Sequence, residues 1–325
     1  MKKKVLGIVC GRKNGETERA ARIALLAAKE CGCDVELINL GDLTIKPCIG
    51  CGVCSRRLRE PLNLTPCPQH DDDMEWLDEQ ICSSDALLFG APMYEQSPPA
   101  AYKAMCDRFG PSHDVAFIKH IYDARVEAGV DPVYDPRYFN HRPAAFFGLG
   151  GSEWSYMGFP ILGIPAICLG LKVVDREQFN WNRGILCYED RVERMKAMGR
   201  HLAQMAQLPF DDTYYNGPEG MCPVCHNNVM LMTPGTDECT CALCGMIGKM
   251  EIKDGKAVAH FTEEAILTSH LTDTGREIHY LDLLGKGKPM PGQPKSYPTP
   301  EERSAADAKA REMMKELPTT KPPKK

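Results

Sequence analysis

Short apolar runs alternate with amphipathic segments of helical period over the first 208 residues of this chain. Residues 4–10 (Lys-Val-Leu-Gly-Ile-Val-Cys) are rich in β-branched side chains and predict a buried parallel strand. After a polar loop at 11–16, Thr17–Glu30 places Ala20, Ile23, Ala24, Ala27 and Ala28 on one face, which predicts a helix. Further strands are expected at Asp34–Leu40, Ala86–Gly90, Ala144–Gly148 and Leu171–Phe179, with helical segments at 73–82 and Ala100–Phe109. Glu189–Gln207 is strongly amphipathic, with Val192, Met195, Met198, Leu202 and Met205 turned inward. This alternation predicts an α/β fold, a doubly wound parallel five-stranded sheet. Two stretches interrupt it, a cysteine-bearing loop at 41–72 and an insertion at 110–143 rich in Asp, Tyr, Pro and His.

The pattern changes after Leu208. Asn216–Gly220 reads as a turn or linker, and 221–284 carries a second cysteine group and a hairpin signal around Asp254-Gly255. From Gly285 onward Lys and Pro dominate, around a helical piece at Pro300–Leu317. That tail is expected to be weakly ordered or to act as an arm onto a neighbour, with Lys324 and Lys325 solvated. The expected division is therefore 1–208, a small four-cysteine segment of zinc-ribbon or rubredoxin-like type at 217–284, and a Lys/Pro-rich tail at 285–325.

Charge and composition narrow the function. A net charge of −5 offers no basic footprint for nucleic acid. No apolar run approaches the roughly 18 residues of a membrane span. The apolar stretch after the initial lysines is broken at Gly11-Arg12-Lys13-Asn14, so no signal peptide is expected and the reading is cytoplasmic. In a reducing compartment the sixteen cysteines are not expected to form disulfides, and the nine that fall at 48–67 and 222–244 read as metal or cluster ligands. The remaining seven, Cys10, Cys31, Cys33, Cys82, Cys106, Cys168 and Cys187, are expected as small hydrophobes in or near a core.

Three features carry chemistry. The segment Cys10-Gly11-Arg12-Lys13-Asn14-Gly15-Glu16-Thr17 joins the first strand to a helix. Backbone N–H groups at the helix start, the Thr17 hydroxyl and Arg12 can hold a phosphate, although a plain polar turn with a Thr cap reads equally well from this stretch alone. Cys48-Ile49-Gly50-Cys51-Gly52-Val53-Cys54, with Cys67 after twelve further residues, spaces its thiols as a wrapper for a [4Fe–4S] cluster; a zinc site or a bare loop are the other readings. Cys222-Pro-Val-Cys225 and Cys241-Ala-Leu-Cys244 form two knuckles suited to a tetrahedral ion, structural zinc or rubredoxin-like iron. Cys239 is a spare thiol or a substitute for Cys241. His113, His120 and His141 with Tyr122, Tyr134 and Tyr138 in or beside the insertion are either ordinary surface residues or a lid over a substrate. Trp154 and Tyr156 either stack near a cofactor or simply pack. No Ser-His-Asp arrangement or paired catalytic carboxylates stand out, so no catalytic residue is assigned.

Two further loops, Gly90-Ala91-Pro92-Met93-Tyr94-Glu95-Gln96-Ser97 and Gly148-Leu149-Gly150-Gly151-Ser152, follow the third and fourth expected strands. With the first loop they give residues 3–208 a resemblance to the NADPH-dependent FMN reductase family, whose fold is flavodoxin-like. The resemblance implies FMN, with Gly11, Arg12, Asn14, Glu16 and Thr17 at its phosphate. Pro92, Met93, Tyr94, Glu95, Gln96 and Ser97 would line the isoalloxazine, and Gly150 and Gly151 its other edge. The chain departs from the family pattern in having Cys10-Gly11 where Gly-Ser often stands. The first cysteine group resembles that of the iron–sulfur flavoproteins, a branch of the same family, including the acidic run Asp71-Asp72-Asp73 but with a longer gap before Cys67. That branch implies a homo-oligomer in which a neighbour's cluster approaches the flavin. The expected function is an iron–sulfur flavoprotein oxidoreductase linking a one-electron partner, such as a ferredoxin-like donor, through FMN to a small-molecule acceptor. The alternatives are an NAD(P)H-dependent FMN or quinone reductase, and an electron-transfer or sensor module without its own substrate.

Overall fold

A computed structural model describes residues 2–287 and 298–319, except the side chains of residues 111 and 112. The elements run β1 (Lys4–Val9), α1 (Glu16–Glu30), β2 (Asp34–Asn39), α2 (Val53–Arg59), α3 (Met74–Cys82), β3 (Ala86–Met93), α4 (Ala100–His113) and α5 (Val115–Glu127). They continue with β4 (Arg142–Gly150), α6 (Gly158–Leu162), α7 (Ile164–Cys168), β5 (Leu171–Phe179) and α8 (Glu189–Met205). Five parallel strands form one sheet in the order β2-β1-β3-β4-β5, the flavodoxin-like doubly wound arrangement.

Burial explains why these segments became strands. Every residue of β4 is buried, as expected of a central strand covered on both faces. On one face, Ala20, Ala24 and Ala28 of α1 pack with Met195, Met198 and Leu202 of α8. The two helices meet so closely that a Cβ on Gly199 would lie 1.9 Å from the Ala24 carbonyl oxygen. On the other face Phe89 and Phe146 stack at 5.3 Å, with Tyr102, Phe109, Phe159 and Leu162 in the same apolar cluster. A bulge in the β4–β5 pairing skips Val174, opposing Ala144 to Val173 and Ala145 to Asp175. Val174 therefore joins the α8 face, where the Asp175 carboxylate also meets Arg194. Arg176 lies over the Phe159 ring, on the opposite face.

The second half adds an antiparallel sheet, β6 (Met230–Met232), β7 (Glu238–Cys241), β8 (Ile247–Lys253) and β9 (Lys256–His260), in the order β6-β7-β8-β9. Asp254 and Gly255, both at positive φ, close the expected hairpin. Helices α9 (Glu263–Leu267) and α10 (Asp273–Leu283) follow. Cys222, Cys225, Cys241, Leu243, Cys244 and Met246 belong to the same apolar cluster as Phe159, Leu162 and Val173. Gly163 makes room for Leu243, whose Cδ2 would sit 2.4 Å from a Cβ there. Residues up to Gly285 form one compact unit, and the chain from Lys286 forms a second. Within the second, α11 (Pro300–Glu316) opens with a capping box between Thr299 and Glu302. Lys324 and Lys325 lie outside the described residues. No helix among the described residues is long and apolar enough to cross a membrane.

One sequence expectation needs correction. Of the seven scattered cysteines, Cys31 and Cys187 are exposed. Cys31 caps the C-terminus of α1 and Cys187 ends a short surface turn, positions outside the apolar stripes. The insertion forms α5 and a short turn, which pack against the cysteine loop. Phe117 and Ile121 pack on Leu58 of α2, and Arg125 donates to the carbonyls of Pro61 and Leu62.

Candidate active site and metal centres

The loops after β1, β3 and β4 emerge at the carboxyl edge of the sheet, beside the β1/β3 switch point where doubly wound folds take ligands. Gly11 has φ +140°, and a Cβ on it would lie 3.4 Å from Pro92 and 3.5 Å from the Thr17 hydroxyl, so the first two loops close on one another there. The chain then turns through Asn14 at φ +54°, with the Gly15 N–H donating to the Arg12 carbonyl at 2.9 Å. α1 starts immediately after, so its first N–H groups have no intrahelical acceptor and can meet an anion. Arg12 is exposed beside them. The backbone of Glu16 is part of this N-terminus, but its carboxylate is occupied by Arg19 and by the N–H of Ile185.

Sequence reasoning missed the group that shapes this loop. Glu18 is buried and accepts from the Asn14 N–H at 2.9 Å, Arg22 at 2.7 Å and the Asn39 amide at 2.6 Å. Burial alone would push its carboxyl up, but hydrogen bonds from Asn39, Arg22 and Asn14 outweigh this and hold it below the ordinary range. Asn39 also donates to the Gly11 carbonyl at 3.2 Å. The available signal was an acidic residue in the first turn of a helix, which is common enough to pass unnoticed.

The second loop is a tight reversal. Tyr94 and Ser97 exchange backbone hydrogen bonds of 2.9 and 3.2 Å around Glu95 (φ +46°) and Gln96 (φ +74°). Both central residues are left-handed without being glycine, a conformation costing about 1–3 kcal/mol each that persists only where the surroundings hold it. The third loop joins it, because the Met157 N–H donates to the Gln96 carbonyl at 3.1 Å. A fourth segment joins in turn, with the Asn182 N–H on the Gly150 carbonyl at 2.8 Å. Gly150 is closely enclosed, its absent Cβ 3.0 Å from the Ser152 carbonyl, whereas Gly151 is exposed. Close by, Gln178 Oε1 and Asn182 Nδ2 are buried with no hydrogen-bond partner. An anion-receptive helix start, interlinked turns with backbone groups at their edges, and unsatisfied buried polar atoms together suit a flat heterocycle carrying one phosphate.

Cys48, Cys51, Cys54 and Cys67 line one cavity of about 270 Å³, together with Asp107 and Arg108. Gly50 (φ +65°) and Gly52 (φ +72°) let the backbone curl around it. The acidic run closes the loop. Asp73 and Thr44 exchange hydrogen bonds of 2.6 and 2.9 Å, Asp72 accepts from the Lys46 N–H, and buried Arg108 grips Asp72 and the carbonyls of Lys46 and Gln69. This clasp brings the stretch holding Cys67 back to that holding Cys48. Arg108, on α4 far along the sequence, carried no local signal. A second cavity of about 410 Å³ shares Cys67 and Arg108 with the first and reaches Tyr134, Tyr138 and the His113–Asp78 pair. His120 instead pairs with Glu277 and stacks on Tyr280, and His141 lies against Phe210.

Cys222, Cys225, Cys241 and Cys244 are buried, with ligand atoms all within 4.8 Å of one another. Their Sγ separations of 3.6 Å (Cys222–Cys244), 3.4 Å (Cys225–Cys241) and 3.9 Å (Cys225–Cys244) match the roughly 3.8 Å edge of a tetrahedron with metal–sulfur bonds of about 2.3 Å. Cys241, and not Cys239, completes the four; Cys239 is buried elsewhere in β7. His226, which follows the first knuckle at φ +60°, stacks on Tyr215 at 3.5 Å. Burial, then the neighbouring Arg176 charge, lower its pKa to about 4. Among the described residues this is the group whose spacing suits a single ion. The thiols around the first cavity do not form such a group.

The family model described as NADPH-dependent FMN reductase matches residues 3–184. A flavone synthase of Aspergillus candidus is 32% identical over 293 residues, covering 86% of this chain and 88% of that protein. A solved structure described as a flavone reductase superposes with a TM-score of 0.79 at 27% identity, covering 99% of this chain and 100% of that one. An iron–sulfur flavoprotein of Methanocaldococcus jannaschii is 32% identical over 109 residues, which is 33% of this chain and 52% of that protein.

Proposed function

This chain belongs to the NADPH-dependent FMN reductase family and is a flavin-dependent oxidoreductase, and we propose that it passes electrons between a one-electron partner, FMN and a flat aromatic small molecule. The observation that carries the flavin site is the set of three loops, hydrogen-bonded to one another at the carboxyl edge of the sheet around a helix N-terminus. There Arg12, Thr17 and the backbone of Asn14–Glu16 hold the phosphate, Pro92–Ser97 line one side of the ring, and Gly150 and Gly151 approach its edge. Glu18 and Asn39 fix the phosphate loop without touching the ligand. Bound there, FMN takes two electrons and releases them singly, while an iron–sulfur cluster moves one at a time.

The cluster is assigned to Cys48, Cys51, Cys54 and Cys67 because all four line one cavity of about 270 Å³. The Cys222–Cys244 site is assigned to zinc in a structural role, since its buried thiols lie inside the main apolar cluster. NADPH is the expected hydride source and a ferredoxin-like protein the one-electron partner. The acceptor class follows from the flavone synthase and flavone reductase that match this chain along nearly its whole length. The chain spans about half the length of the iron–sulfur flavoprotein it matches, and the cluster reading stands on the cavity as much as on that likeness. A homo-oligomer in the cytoplasm completes the reading.

Anaerobic purification followed by a visible spectrum, iron and zinc analysis, and chromatography of heat-released flavin tests the assignments together. FMN, close to four iron atoms per cluster-bearing chain and one zinc are expected. Recovery of FAD, or of no flavin after reconstitution, overturns the flavin site. Cys51→Ser should keep FMN and the fold yet lose flavin reduction by a ferredoxin-like donor. Reduction at the parent rate in a folded, cluster-free variant overturns the electron route.

A further inference from the structure

Four large aromatic side chains stand exposed on the loops at the carboxyl edge of the sheet: Tyr94, Trp154, Tyr156 and Trp181, each more than half exposed. Two of the three tryptophans in the chain are among them. Their backbones are tied to a common rim. The Met157–Gln96 hydrogen bond links the segment bearing Trp154 and Tyr156 to the turn bearing Tyr94, and the Asn182–Gly150 bond brings the Trp181 segment to the same glycine loop. Ser155, between Trp154 and Tyr156, is buried and hydrogen-bonds Asn180, next to Trp181.

Trp181 is the most telling. Arg191 holds both of its neighbours, donating to the Asn180 carbonyl at 3.1 Å and to the Asn182 side-chain oxygen at 3.1 Å. Trp181 itself is left-handed at φ +54°, an unfavourable backbone state for a bulky residue. The fold thus anchors the chain on either side and turns a strained indole out to solvent, although burying it would be favourable. Of the seven non-glycine residues with positive φ among those described, four (Asn14, Glu95, Gln96 and Trp181) lie on these loops. Strain of this kind collects where a ligand is held.

We propose that Trp154, Tyr156 and Trp181 form the acceptor platform of the enzyme and select flat, multi-ring aromatic molecules for the flavin site. The proposal rests on the FMN reading above. Polar residues separate the rings along the chain, with Ser152, Glu153, Asn180 and Arg183 between or beside them. A few rigid rings with interspersed polar groups is the composition of a small-molecule site. The apolar core of a permanent subunit interface is more continuous. Rings of this kind bind another aromatic system in offset or edge-to-face contact and add little to the binding of a small inorganic acceptor.

The test uses the FMN-loaded full chain with NADPH, comparing kcat/KM for flavone with kcat/KM for ferricyanide. The ratio is expected to fall about tenfold or more in Trp181→Ala and in Tyr156→Ala, carried mainly by KM for flavone, and to recover in Trp181→Phe. Flavone should also quench the tryptophan fluorescence of the parent, and lose most of that quenching in the Trp154→Phe, Trp181→Phe double variant. An unchanged ratio in FMN-loaded variants overturns the platform and leaves the flavin reading intact. Parent protein that fails to bind FMN overturns the flavin reading instead. A ratio that falls only together with dissociation of an oligomer on size-exclusion chromatography assigns the rings to a second copy of the chain, and also overturns the platform.

Discussion

Replacing Glu18 by glutamine probes the phosphate loop without touching any group assigned to the ligand. One carboxylate oxygen accepts from the Asn14 N–H and Arg22, and the other from the Asn39 amide. A carboxamide has one acceptor oxygen and two donors, so whichever way it turns, an N–H group confronts another donor. If the oxygen keeps Asn14 and Arg22, the Asn39 bond is lost and the other two lose their charge assistance. Hydrogen bonds to charged groups contribute about 1.5–3 kcal/mol, and Asn39 retains its weaker bond to Gly11, so a loss of about 2–3 kcal/mol is expected. In a unit of this size that corresponds to a fall in Tm of about 4–12 °C, and FMN affinity should drop about tenfold as the bond that holds Asn14 weakens. The sign with pH is fixed. The folded carboxyl titrates below its unfolded value, so the contribution is complete above about pH 4.3 and disappears as pH falls through the folded pKa. Thermal melts from neutral to acid pH, with FMN titrations by flavin fluorescence, read both effects. A variant melting within about 1 °C of the parent at neutral pH and binding FMN equally would refute this account of the loop.

Other perturbations follow from the same geometry. Arg12→Ala should weaken FMN about ten- to a hundredfold, and unchanged affinity would remove Arg12 from the phosphate site. Cys225→Ser should lose the bound metal and lower a single cooperative melting transition of residues 2–285, because Leu243 and Met246 share the main core; two transitions with the larger unmoved would contradict this. Asp114 caps α5, and burial pushes its carboxyl up to about 6 against the lowering bonds from Phe117 and Ala116. Its folded pKa exceeds the unfolded one, so stability should fall as pH rises through about 6, a slope that Asp114→Asn should flatten in urea titrations.

What could be read in the chain depended on the range of the interaction. Strand and helix positions were legible because their signal is local periodicity; Leu171–Phe179 and Glu189–Met205 follow from the side chains that had to face the sheet. The four-cysteine group at 222–244 was legible because knuckle spacing is itself local: each pair is separated by two residues, and Cys239 falls outside that spacing. The groups that organise the sites were not. Arg108 meets Asp72 across thirty-six residues, Asn39 meets Glu18 across twenty-one, and Ile185 meets Glu16 across 169. Each is an ordinary polar or apolar residue in the sequence and acquires a role only when the sheet brings separate loops to one edge. The packing of the insertion was not legible for the same reason, since composition alone does not say which wall of the protein α5 will join.

The two cysteine groups share ligand chemistry but occupy opposite physical settings, and that contrast separates their roles. Four buried thiols in mutual contact cannot all ionise without a cation, because each thiolate would face its neighbours' charge in a weakly polarisable core. Hydrogen bonds from Cys222 and Cys225 lower Cys241 and Cys244 while the donors' own thiols are driven up, a division that a bound dication would remove by stabilising all four thiolates together. Such a site belongs to the core and has little access for an electron-transfer partner. The first group lies nearer the surface. Cys48 and Cys51 are exposed, the cavity opens at the surface, and the loop is held by the Asp72–Arg108 clasp at its ends and by Leu58 against α5. That cavity is open to solvent, whereas the knuckle thiols are buried in the same apolar cluster as Leu243 and Met246. The two groups therefore differ in setting: the cysteine loop borders solvent, whereas the knuckles sit inside the apolar cluster that joins the second sheet to the first.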